Sequence, residues 1–126
     1  MAIKRYTADT DNTITNAFKS DLDGANRATG SNMGESDILE VFSILGQSSG
    51  SAAGYTSEMS RILIKFPVDK IIEDRNNQVI PSSGNIGFFL KLFNTKHSQT
   101  LPRNYTLQIS PISQSWEEGR GLDMEE

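Results

Sequence analysis

Two acidic stretches, Asp9-x-Asp11-Asn12 and Asp21-x-Asp23-Gly24, could hold a hard cation. Calcium collects clustered oxygen ligands, but neither stretch continues to a glutamate at the twelfth loop position. Asp and Asn are equally the residues of tight turns, and both stretches are read as turns, with no metal site expected. Trp116-Glu117-Glu118-Gly119 offers paired carboxylates beside an aromatic ring. Glycoside hydrolysis needs two well-separated acids, whereas adjacent residues of a strand point to opposite faces. Trp116 is therefore read as closing the end of a core, with a sugar-stacking platform as the functional alternative. His97 has no Cys, Asp or Glu near it in the chain and reads as a solvated loop residue. Gly46-x-Ser48-x-Gly50 has the spacing of a nucleophile elbow. That motif works on a strand-to-helix turn with a histidine partner, and here no helix follows. Arg61 and Lys65 share one strand face with Met59 and Leu63. They read as long side chains snorkelling at an edge, or as contacts to an acidic partner. Asn104-Tyr105-Thr106 matches a glycosylation sequon without a secretory leader to support it.

Composition narrows the chemistry further. The chain has 126 residues, no cysteine and one histidine. Disulfides, thiol catalysis and thiolate metal sites are excluded, and a histidine-based triad has little to draw on. Twelve basic against sixteen acidic residues give a net charge of -4, which argues against a dedicated nucleic-acid binder. Hydrophobic residues make up 36% and the mean hydropathy is -0.43, so no membrane role is expected. No apolar run approaches the roughly 20 residues of a membrane-spanning helix. Met-Ala-Ile-Lys-Arg-Tyr lacks an apolar signal core, so no secretory peptide is expected.

The elements that would position these residues are mostly strands. Residues 38–45, 59–66, 85–93 and 104–112 are read as strands, with Thr13 to Phe18 as a brief further one. In 85–93, Ile86, Phe88, Leu90 and Leu92 share one face and Phe89, Lys91 and Phe93 the other, as in a central strand. Tyr105, Leu107 and Ile109 alternate with polar residues, as in a half-buried antiparallel strand. Val68, Ile71 and Ile72 lie at i, i+3 and i+4, which suits one or two helical turns up to Asn76. Residues 9–37 are polar and turn-rich, and 46–58 is read as a long mobile Gly/Ser loop around Tyr55. The expected core is Leu39, Val41, Ile62, Ile64, Phe66, Phe88, Leu90, Leu92, Tyr105, Leu107, Ile109 and Trp116. The expected fold is all-β, a single jelly-roll-like antiparallel β-sandwich domain over 1–126 with long loops and at most one short helix.

The order of motifs resembles a known family. Ala8-Asp9-Thr10 is followed by Ser31-Asn32-Met33-Gly34, then by Arg61-Ile-Leu-Ile-Lys-Phe-Pro-Val-Asp-Lys-Ile71. Pro81-Ser-Ser-Gly84, the strand Ile86 to Phe93, and Ser115-Trp116-Glu117-Glu118-Gly119 come after. This order resembles the DNRLRE-type (disaggregatase-related) β-sandwich domains over roughly residues 6–121, with Met33 where that family usually carries Tyr. The run Arg27 to Phe42 also looks like virion proteins of tailed phages, including marine ones.

The resemblance implies a virion structural protein, a capsid decoration or a part of a tail or fibre, located in the particle and assembled in the host cytoplasm. It implies partners among capsid or tail subunits, in a homo-oligomer or other multi-copy assembly, and it implies no catalytic residues; from charge and composition, neither nucleic acid nor membrane is an expected partner. In cellular proteins similar domains sit beside carbohydrate-active modules, so the alternative expectation is a carbohydrate-binding or host-adhesion module. The expected partner or glycan contacts are Trp116, Tyr55, Tyr105, Arg61 and Lys65. No catalytic, cofactor or metal residues are expected. Such domains usually continue with more strands past the Trp-Glu-Glu-Gly segment. A sandwich short of those strands would expose edges that favour strand addition from another chain.

Overall fold

The computed structural model describes residues 3–16, 32–47, 55–81, 83–84, 86–98 and 104–122, with the side chains of 44–47 and 55–57 left aside. Three strands and one helix form: β1 (Thr10–Thr15), β2 (Ser43–Gln47), β3 (Tyr55–Lys65) and α1 (Val68–Asn76). β3 lies at the centre of an antiparallel sheet of order β1-β3-β2. Thr10 pairs with Lys65 and Thr15 with Ser60 on one side, and Ser43 with Met59 and Gln47 with Tyr55 on the other. The mostly strand-and-loop, antiparallel architecture with one short helix agrees with the sequence reading.

β3 forms because Arg61-Ile-Leu-Ile-Lys65 is rich in β-branched and long apolar residues, and it ends where Pro67 removes a backbone donor. Pro67 then opens α1, with Asp69 in the first turn and Arg75 in the last, each matching the sign of its helix end. The Gln78 amide donates to the Arg75 carbonyl at 3.1 Å and the Val79 amide to that of Asp74 at 2.9 Å. This is a Schellman closure with Gln78 at φ 58, a place that usually goes to glycine. Lys4 and Tyr6 tie the N-terminal segment to the helix. The Tyr6 hydroxyl donates to Asp74 Oδ2 at 2.7 Å, and Lys4 Nζ lies 3.1 Å from the same oxygen.

The strand edges extend into segments read as loops. Residues 46–47 belong to β2 and 55–58 to β3, inside the segment expected to be a long loop. β1 falls within the polar 9–37 stretch, three residues earlier than the brief strand expected there.

The interior between the strands is polar. Among the described residues, Met33 is the one buried hydrophobic side chain, while Asn12, Thr13, Thr15, Glu58 and Ser60 are buried polar ones. Thr13, Thr15, Ser60 and Ile62 share a face, and the chain at 40–42 crosses it. Ser60 is the hub: its hydroxyl accepts the Phe42 amide at 2.8 Å and donates to the Glu40 carbonyl at 2.7 Å. The Glu40 amide in turn donates to Thr13 Oγ1 at 3.2 Å. These bonds satisfy groups that would be costly to bury unpaired.

The expected core is corrected by this arrangement. Val41, Phe88, Leu90, Leu92, Tyr105, Leu107 and Ile109 are all exposed. Residues 86–98 and 104–122 belong to no strand. A segment can alternate correctly and still lie open, because a strand exists only when a neighbour accepts its backbone bonds.

Candidate functional site

Two regions have the makings of a site. The first is a backbone crossing where the two most distinctive short motifs meet. Asn32 bridges to Ile14 on the outer side of β1, and the Met33 amide donates to both the Thr13 carbonyl and Asn12 Oδ1, each at 3.2 Å. Asn32 Oδ1 accepts the amides of Gly34 at 3.3 Å and Gly121 at 3.0 Å, and the Glu35 amide donates to the Gly121 carbonyl at 3.0 Å. Asn-Met-Gly thus clasps the segment that follows Trp116-Glu117-Glu118. Glycine is required there: a Cβ on Gly34 would collide with the Gly119 backbone, and one on Gly119 with the Asn32 amide.

At this crossing the Asp11 amide donates to Glu118 Oε1 at 2.9 Å. The Asp11 carboxyl is pushed up from its usual range, first by burial and then by the Glu118 charge. The pair serves to seat the C-terminal segment, since Glu118 is held by a backbone donor. Among the described residues no group of three or more His, Asp or Glu side chains could hold a metal ion.

The second region is an apolar arm. Residues 87–98 and 104–115 lie outside any helix or strand and are exposed. Phe89 is 93% exposed, Phe93 81%, Ile109 76% and Phe88 72%. Among the described residues, the backbone groups of 87–98 and 104–117 make no hydrogen bond to one another or to the sheet. In the arm Lys91 Nζ lies 4.8 Å over the Phe93 ring centre. A row of unpaired donors and acceptors beside exposed rings is what β-augmentation requires: main-chain bonds give affinity and alternate side chains give specificity.

The expected contact residues are scattered over these regions. Tyr105 is 65% exposed on the arm. Trp116 is half-buried beside the glycine crossing. Arg61 and Lys65 stand exposed on β3, on one face of the sheet as expected, opposite Ile14 and Thr10. Tyr55 opens β3, with its side chain outside the described residues. Of the stretches considered for metal binding, Asp21-x-Asp23-Gly24 lies outside the described residues, as do Ser48 and Gly50 of the elbow-like triplet. His97 is exposed. Sequence reasoning named Asn12 only in a turn-like acidic stretch and Asn32 only in a motif, and it missed Gly121 and the crossing that joins the three. Their signal was the pairing of one Asn-x-Gly with one Gly-x-Gly, which only the fold brings together.

Among the described residues no helix is long and apolar enough to cross a membrane. No protein-family model matches the chain, and neither a curated protein nor a solved structure matches it.

Proposed function

We propose that the chain is a non-enzymatic virion structural protein of a tailed phage, a capsid decoration or other particle-surface module acting through subunit contacts. The observation that carries this reading is the apolar arm, whose rings stand exposed and whose backbone groups, among the described residues, bond neither to one another nor to the sheet. Leaving such a surface in water forgoes about 25 cal/mol for each Å² it could bury. In the assembled particle the arm pairs as strands and completes a jelly-roll-like sandwich over the polar sheet. Many copies on one particle make weak single contacts sufficient through avidity. The motif order that resembles virion proteins supports the same reading.

The test is particle integrity. Particles assembled without this protein are expected to lose their contents at lower temperature and in milder salt shocks than complete ones. Equal survival would overturn the cementing role. Tyr105, exposed on the arm, supports a second reading in which the arm stacks on a glycan. Saturable binding on a glycan array, abolished in Tyr105→Ala and Trp116→Ala chains that keep their circular dichroism, would favour that reading instead.

A further inference from the structure

We infer that the partner of the arm is a second copy of this chain, with residues 86–98 of one copy adding as a strand to the outer edge of β2 in another. This rests on the assembly reading above and names its partner. Four observations converge on it.

The sheet order β1-β3-β2 leaves β2 as an edge, and among the described residues no strand pairs with its outer side. β1's outer side, by contrast, is occupied by the Asn32 bridge. Among the described residues, one copy therefore carries both an open acceptor edge and a donor arm without backbone bonds to the sheet, which is the requirement for contacts between identical chains.

Charge divides the chain along the same line. From Ala28 to Ser60 there is no Lys or Arg, while Glu35, Asp37 and Glu40 lead into β2 and are all exposed. From Arg75 to Trp116 there is no Asp or Glu, while Lys91 and Lys96 stand exposed on the arm. An arm seated beside β2 brings these lysines toward Glu40, three residues before the strand, whereas Glu35 lies with Gly121 at the β1 side of the sheet. The same arm brought to another arm would set like charges together. Opposite patches steer encounter and fix register.

The area suffices. Within 86–98, Phe88, Phe89 and Phe93 with the exposed Leu90 and Leu92 offer on the order of 800 Å², since an aromatic ring alone buries about 150–250 Å². A stable interface takes about 800 Å² from each partner.

The experiment is sedimentation of the purified full chain with a reciprocal charge swap. One variant carries Lys91→Glu and Lys96→Glu, the other Asp37→Lys and Glu40→Lys. All four positions are exposed, and circular dichroism checks that each variant folds. The native chain is expected to sediment as an oligomer that weakens as salt rises and the Debye length shrinks to about 3 Å at 1 M. Each variant alone is expected to associate at least about tenfold more weakly, because like charges now face each other. An equimolar mixture is expected to recover association, since both contacts are again complementary.

A monomeric native chain, or variants that associate as the native chain does, would overturn the second-copy inference. Amide exchange separates that failure from failure of the assembly reading. A monomer with unprotected arm amides that still stabilises particles leaves the assembly role standing with a different partner. A monomer with protected arm amides means that the arm folds onto its own sheet, and both fail.

Discussion

The sheet and the arm invert the usual division of labour. Around β1 and β3 the buried side chains are Asn, Thr, Ser and Glu, and the structure supplies hydrogen-bond partners for them: Asn12 to Met33, Thr13 to Glu40, Ser60 to Glu40 and Phe42. In 86–98 and 104–112 the large apolar side chains are Phe, Leu, Tyr and Ile, and most of them stand exposed. The sheet is held by directional bonds that specify one arrangement and contribute modestly each. The arm holds the apolar area from which most folding and association free energy comes. The comparison teaches that specificity and driving force sit in different parts of this chain. The first is used within one copy, and on the assembly proposal the second is available for contacts beyond it.

The largest expected effect tests the sheet side of that comparison. Gly34→Ala puts a methyl into the Gly119 backbone, which has no rotamer to move away. A loss of about 3 kcal/mol is expected, at the upper end for overpacking. The matched change in the arm is Gly87→Ala. Its Cβ would approach Phe89 Cε2 at 2.8 Å, but that ring is exposed and swings clear. Urea unfolding followed by circular dichroism should show the first variant strongly destabilised and the second near native. Equal losses would mean that the arm is as tightly packed as the crossing.

Next in size is Ser60→Ala. It removes one donor and one acceptor at once and leaves the Phe42 amide and Glu40 carbonyl without that partner. Orphaned buried groups of this kind cost about 1–3 kcal/mol, so about 2 kcal/mol is expected. A double-mutant cycle with Thr13→Val should show coupling, because both hydroxyls bond the backbone of Glu40. Simple additivity would break the picture of one connected polar network.

What the sequence disclosed follows from this division. β3 and α1 were legible because their signals are local: Ile62-Leu63-Ile64 before Pro67, and Val68, Ile71 and Ile72 at helical spacing. β1 was legible only in part, since Thr-Asp-Asn-Thr is poor strand material and is held by its pairing with β3 and its bonds to residues 33 and 40. The Asn-Met-Gly and Glu-Glu-Gly pieces could be picked out as motifs, but their crossing joins residues 89 apart, as in the Asn32–Gly121 bond. The arm misled most. Period-two alternation reports that a segment can bury a face, and it does not report against what, so Phe88 and Leu107 were placed in a core that one copy does not form.

A smaller effect sits at the α1 contact, and pH reads it. Tyr6 is pushed up from 10.0 to about 12, first by burial, then by the hydrogen bond it donates to Asp74, then by the Asp74 charge. The folded state holds that proton longer than the unfolded chain does. The contribution is therefore fully present below pH 10.0 and is lost as pH climbs toward about 12. Asp74 shifts the other way, lowered by its bonds from Tyr6 and then Lys4. Its contribution is present above pH 3.8 and lost as pH falls below that value. Asp11, raised by burial, opposes it and favours the folded state on the acid side. Thermal midpoints of the native chain should fall across the alkaline window, and Tyr6→Phe should flatten that fall. A flat native profile would remove the Tyr6–Asp74 contact from the folded side of the comparison.

The smallest stability effect is expected where sequence alone would place the largest. Phe to Ala in a packed core costs about 3–5 kcal/mol. Phe89 and Phe93, both almost fully exposed, should cost within about 0.5 kcal/mol when changed to Ser, as surface residues do. The Lys91–Phe93 contact adds little at an exposed site. The same double variant should lose its capacity to assemble, because those rings supply a large share of the area the arm can bury. Urea midpoints and sedimentation measured on one preparation decide the matter. Unchanged stability with lost assembly would show that the chain keeps its strongest apolar surface for a partner. Stability lost together with assembly would place the rings in the chain's own core and dissolve the distinction between sheet and arm.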